Sequence, residues 1–116
     1  MNRIIAILAL LLSSYAFANP IYCPQRIVCN SEGCSPASAH FSGSASCGIY
    51  DFYVANIEIG STAKVTCTYR GLDGQELILT SLKTLAPDLT IPWNQWSIKG
   101  TAYNCQYNAL VCPLKG

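Results

Sequence analysis

The chain's 116 residues include seven basic and six acidic side chains, one histidine and seven cysteines, with 51% hydrophobic and only 11% charged residues. That length fits a single small domain, and that balance excludes charge-driven disorder. It also argues against nucleic acid and anionic lipid as partners, because each demands a net positive footprint.

Asn2-Arg3 is followed by an unbroken apolar run over 4–12, then Ser13-Ser14-Tyr15 and Ala16-Phe17-Ala18. The run is about nine residues against the ~20 that cross a bilayer, and the small residues at Ala16 and Ala18 suit cleavage before Asn19. Residues 1–18 therefore read as a secretory signal peptide and 19–116 as one exported domain, placed in the periplasm or the medium. Cleavage removes Arg3 and no acid, so the product is formally neutral. No second apolar stretch reaches membrane length, and no membrane span is expected after processing.

Segment 19–48 is dense in Ser, Gly, Ala, Pro and Cys and reads as a loop-rich, cross-linked lobe with short strands at 26–29 and 40–42. The aromatic and β-branched run IYDFYVANIEI over 49–59 predicts one or two strands. Over 64–70 the residues alternate, with Val65, Cys67 and Tyr69 on one face and Thr66, Thr68 and Arg70 on the other. Asp73-Gly74 then suits the centre of a two-residue hairpin turn, which would set Tyr69 opposite Ile78, Cys67 opposite Thr80 and Val65 opposite Leu82. A rival reading makes Asp73 and Glu76 a helix cap, with Ile78, Leu82, Leu85 and Ala86 at helical spacing until Pro87. The hairpin is preferred because its register sets mostly apolar residues along one face. In the tail, Tyr103, Cys105 and Tyr107 alternate and predict a closing strand. The fold class is all-β: a small antiparallel sheet or sandwich, stapled by disulfides, with a loop-rich N-terminal part.

All seven cysteines, Cys23, Cys29, Cys34, Cys47, Cys67, Cys105 and Cys112, follow the export signal, so disulfides are the expected state. On the chain-entropy model a closure from Cys67 to Cys105 is worth roughly 4 kcal/mol, against about 2.4 kcal/mol for Cys105 to Cys112. The mid-strand positions of Cys67 and Cys105, each with a tyrosine two residues away, predict that they pair; Cys23 with Cys112 would then tie the ends. The count is odd, so one thiol is left over. Zinc is disfavoured, because C-x4-C-x5-H-x6-C over Cys29, Cys34, His40 and Cys47 is looser than structural zinc hooks. No C-x-x-C occurs, which removes a thioredoxin-type reading.

Cys23-Pro24, Phe52-x-x-Ala55, Cys67-Thr68-Tyr69, Trp96, Tyr103-x-Cys105 and Cys112-Pro113-Leu114 together resemble a family of small exported cysteine-containing bacterial proteins of unknown function, of the type found in intracellular gamma-proteobacteria. The resemblance spans nearly the whole exported part. It implies an exported fold and supplies no catalytic residues. Cys23, Cys67, Cys105 and Cys112 match its pattern, whereas Cys29, Cys34 and Cys47 are additions. Two of those three should pair, with Cys34 bridging to Cys47 across the flexible segment, and Cys29 staying free and buried beside Ile27 and Val28.

Chemistry is scarce. His40 is the single histidine, and no nucleophile-elbow sequence surrounds it, so it reads as a surface residue and a His40-based hydrolase is a minor alternative. No cofactor and no metal are expected. Trp93 and Trp96, in a segment broken by Pro92 and flanked by amides, are the candidate binding residues for a protein or a carbohydrate, with Trp96 also a candidate for the core. The leading expectation is a non-catalytic binding or interaction domain, a monomer or a disulfide-linked homodimer. An envelope-associated structural protein and a small secreted hydrolase are the alternatives.

Overall fold

A computed structural model describes residues 20–59 and 64–116. The signal peptide reading over 1–18 lies outside the described residues. The described chain forms ten strands and one 3-10 turn: β1 Arg26–Asn30, β2 Gly33–Ser35, β3 Phe41–Ser42, β4 Gly48–Glu58, β5 Val65–Gly71, β6 Glu76–Ser81, β7 Ala86–Pro87, β8 Ser97–Lys99, β9 Ala102–Cys105, the turn Ala109–Val111, and β10 Leu114–Lys115. The domain is all-β and antiparallel, as expected.

One sheet carries the order β2-β1-β4-β5-β6-β3, and β9 joins it through β4, with β8 beside β9. Strand β4 organises it. One of its edges pairs with β5 along nearly its whole length. The other is shared: β1 takes the first half, up to Arg26 opposite Asp51, and β9 the second, from Ala55 opposite Cys105 to Glu58 opposite Ala102. The run read as one or two strands is thus one, interrupted by a bulge between Phe52 and Val54. A bulge leaves one residue unpaired and bends the strand, which curls the sheet around its inner face.

That inner face is the core. Ile27 and Cys29 of β1, Tyr50, Phe52, Ala55 and Ile57 of β4, Val65, Cys67 and Tyr69 of β5, and Leu77 and Leu79 of β6 are all buried. Leu85, Ala109, Cys112 and Leu114 of the C-terminal part belong to the same cluster. Two polar groups enter it with partners supplied. The Tyr69 hydroxyl donates to Pro24 O at 2.6 Å, and the Tyr50 hydroxyl contacts Ser46 O at 2.8 Å and Gln75 Oε1 at 3.0 Å. Burial pushes the Tyr69 phenol above its ordinary value. A second small layer pins the ends: Leu114 of β10 lies opposite Pro87 of β7 and exchanges two 2.8 Å backbone hydrogen bonds with Ile21.

The β5–β6 hairpin forms where expected, and 76–81 is a strand, not a helix. Its register is one residue away from the expected one. Tyr69 lies opposite Leu77 and Cys67 opposite Leu79, so Leu77, Leu79 and Ser81 face the core while Ile78 stands outside, 49% exposed. The cause is the turn. Gly71 N–H bonds Gln75 O and Gly74 N–H bonds Gly71 O, enclosing Leu72, Asp73 and Gly74, with Gly74 in the left-handed region at φ 76°. A three-residue loop ending in a left-handed glycine replaces the two-residue turn, and a one-residue slip exchanges the faces of the whole strand.

The disulfides differ from the expected pairing. Cys23 joins Cys67, Cys29 joins Cys34, and Cys105 joins Cys112. Cys67 cannot join Cys105 in the way the parity of their strands suggested, because β4 lies between β5 and β9, with Ala55 opposite both cysteines. Cys67 instead reaches inward to Cys23. Cys29 and Cys34 face each other directly across β1 and β2, which takes Cys34 from its expected partner. Cys47 is therefore the free thiol, and it is exposed. Cys23, Cys67, Cys105 and Cys112 pair among themselves, and Cys29, Cys34 and Cys47 give one bond and one thiol.

Candidate functional site

The outer face of the sheet is sorted into rows by register. Near one end, Arg26, Asp51, Arg70 and Glu76 stand directly opposite one another across β1, β4, β5 and β6 with alternating charge. Arg26 Nε donates to Asp51 Oδ1 at 2.6 Å, and that hydrogen bond, with the carboxylate charge, raises the guanidinium above its ordinary value. Arg70 lies over the Tyr53 ring at 3.7 Å. Exposed pairs of this kind align strands and contribute little stability.

A second row contains no charge. Ser97, Asn104, Asn56, Thr66, Thr80 and Ser42 are successive partners across β8, β9, β4, β5, β6 and β3. Directly opposite residues share a face, so six strands contribute one line of amides and hydroxyls. At an interstrand spacing of about 4.8 Å the line is roughly 24 Å long. Asn104 Nδ2 donates to Asn56 Oδ1 at 2.7 Å, holding the two central amides together. Ser97 Oγ donates to the Asn104 carbonyl at 3.3 Å, and no buried side-chain nitrogen or oxygen among the described residues lacks a partner, so the capacity these amides and hydroxyls have left faces solvent.

The row runs into a cleft of about 100 Å³ lined by Gln95, Ser97, Lys99, Asn104, Gln106 and Tyr107. Tyr107 is 78% exposed, a flat aromatic face beside three carboxamides. The expected closing strand stops at Cys105, and the Cys105–Cys112 bond with the 3-10 turn folds the chain back. Tyr107 is thereby left outside the sheet at the mouth of the cleft, instead of continuing the alternation.

The two tryptophans separate. Trp96 is half-buried against the core and its Nε1 donates to Pro113 O at 2.8 Å, so its polar atom is already used. Trp93 is exposed at 55%, two residues from Gln95 of the cleft. His40 is half-buried. Its backbone N–H donates to Ser38 Oγ at 3.1 Å and its carbonyl accepts from Leu82 N–H. Among the described residues no three His, Cys, Asp or Glu side chains gather as a metal site, and Cys29 and Cys34 of the zinc-like spacing are spent on each other. Asn56, Asn104, Gln106 and Tyr107 join Gln95 in this site; the sequence pointed only to Gln95, as an amide beside Trp93 and Trp96. Asn56 and Asn104 occupy the polar slots of alternations recognised for their apolar members, and only the register shows that they meet.

No family model matches this chain, and no curated protein or solved structure gives a significant match.

Proposed function

We propose that this protein is an exported, non-catalytic binding module that engages its partner through the outer face of the sheet and the adjoining cleft. One observation carries the reading: a line of uncharged amides and hydroxyls, set on paired strands and only partly spent on bonds within the sheet, opens into a cleft with an exposed aromatic wall. Side chains on paired strands are held in place before the partner arrives, which lowers the entropy cost of recognition. Export rests on the leader-like residues 1–18, and three disulfides fit an oxidising compartment. The resemblance to small exported bacterial proteins of unknown function agrees with both. Trp93, on the segment that also supplies Gln95, extends the surface.

The test is capture of envelope or medium components by the immobilised exported domain, compared with Asn104→Ala, Trp93→Ala and His40→Ala. Capture lost with Asn104→Ala and weakened with Trp93→Ala supports the module. Turnover of a substrate lost with His40→Ala would replace it with the hydrolase. The exposure of Cys47 favours a second reading, a covalently linked homodimer in the envelope.

A further inference from the structure

The geometry points to a ligand class for this face: we infer that the cleft and the uncharged row bind a neutral oligosaccharide, laid across the strands with its terminal ring on Tyr107. The inference rests on the binding-module reading above and names what that module holds.

Three features select the ligand. Ser97, Asn104, Asn56, Thr66, Thr80 and Ser42 are all uncharged, and each can both donate and accept, as a sugar hydroxyl does. An ionised partner would leave a charge facing groups that answer it only with dipoles. The functional groups recur at the interstrand spacing, about 4.8 Å, so a linear chain with a repeating set of hydroxyls meets them in succession. A peptide adding to the sheet would run along a strand edge and read alternate side chains, whereas this row runs perpendicular to every strand. Finally, Tyr107 stands beside Gln95, Gln106 and Asn104, pairing an apolar platform for a ring's C–H face with amides for its rim. Lys99 is the one charged residue lining the cleft. Its own row continues through Ala102 to Glu58, which sets a carboxylate on the same face.

The far end of the row gives the inference its signature. Asn104 and Tyr107 should matter to every ligand that enters the cleft. Thr80, three strands beyond Asn104, should matter only to chains long enough to reach it. Titration of the exported domain with the neutral cello-, malto- and N-acetylchito-oligosaccharides, and with oligogalacturonides as acidic sugars, from disaccharide to hexaose, reads this directly by calorimetry or by amide chemical shifts. One neutral series should bind with affinity rising with length. Tyr107→Ala or Asn104→Ala should weaken every member by about tenfold, and Thr80→Val should weaken only the longest members, leaving the disaccharide and trisaccharide unchanged. Unchanged thermal unfolding verifies that each variant is folded.

Binding of no series, while envelope capture through Asn104 persists, would overturn the oligosaccharide and leave the module. Loss of both would overturn the module itself. Binding restricted to acidic sugars and abolished by Lys99→Ala would also overturn the neutral ligand.

Discussion

The meander β4-β5-β6 and the tip of the β1–β2 hairpin are both antiparallel, and both are held by a disulfide, yet they are stabilised differently. In the meander, Ala55, Val65, Cys67 and Tyr69 are completely buried, and Cys67 bonds to Cys23 across 44 residues of sequence. At the tip, residues 30–33 are exposed, and Cys29 bonds to Cys34 across five. Where burial is deep the bond adds a long-range constraint to an existing core. At the tip the bond ties an exposed turn back to the edge of that core at Cys29.

Removing each bond sharpens the contrast. On the chain-entropy model Cys23→Ala with Cys67→Ala should cost about 4 kcal/mol, and more once the cavity is counted; Cys29→Ala with Cys34→Ala should cost about 2 kcal/mol. Denaturant midpoints measure both, and equal losses would break the distinction. Within the meander, Leu77→Ala should cost about 3 kcal/mol and Ile78→Ala under about 1 kcal/mol. The reverse order would restore the two-residue turn and its register.

Tyr69→Phe tests the inner face more gently, with an expected loss of about 1 kcal/mol for the hydrogen bond to Pro24 O. It also carries a pH signature. Burial raises the Tyr69 phenol in the folded state, so the unfolded chain ionises first, near pH 10. The contribution is full below that pH and is lost as pH rises above it. Alkaline unfolding of Tyr69→Phe should therefore be shallower, measured in a Cys47→Ser background that prevents thiolate exchange. The smallest effect belongs to Cys47 itself. Cys47→Ser should change stability by less than about 0.5 kcal/mol, while native wild-type protein should take one maleimide per chain. Reactivity appearing only after denaturation would return the free thiol to a buried position.

What the sequence showed and what it hid divide along the same line. Alternation and composition are local, so Val65, Cys67 and Tyr69 declared their face without any partner, and the strands expected over 26–29, 49–59 and 64–70 formed within one residue of those bounds. Register is not local. Asp73-Gly74 has the composition of the tightest turn, and nothing in that dipeptide records that Leu72 is also inside the loop, yet this single residue decides whether Leu77 or Ile78 is core. Disulfide partners were hidden for the same reason: shared parity put Cys67 and Cys105 on one face, but β4 stands between them. The short strands β2, β7, β8 and β10 carry too few residues to show a period. The candidate site was hidden most deeply, because Asn56 and Asn104 become neighbours only once β9 takes the second half of β4.

The backbone bridge between Ile21 and Leu114 sets how the domain would respond to tension between its ends. Once those two hydrogen bonds open, the load enters at Ile21, passes to Cys23 and crosses its disulfide to Cys67. It then follows the backbone to Cys105 and leaves through the second bond to Cys112. Strands β1 to β4, including Cys29–Cys34, lie inside a closed covalent loop and bear none of it. Only the chain from Cys67 to Cys105 can be drawn out, on the order of 130 Å when fully extended. Under oxidising conditions the domain is a tether of limited reach, and reduction would release the rest of its length.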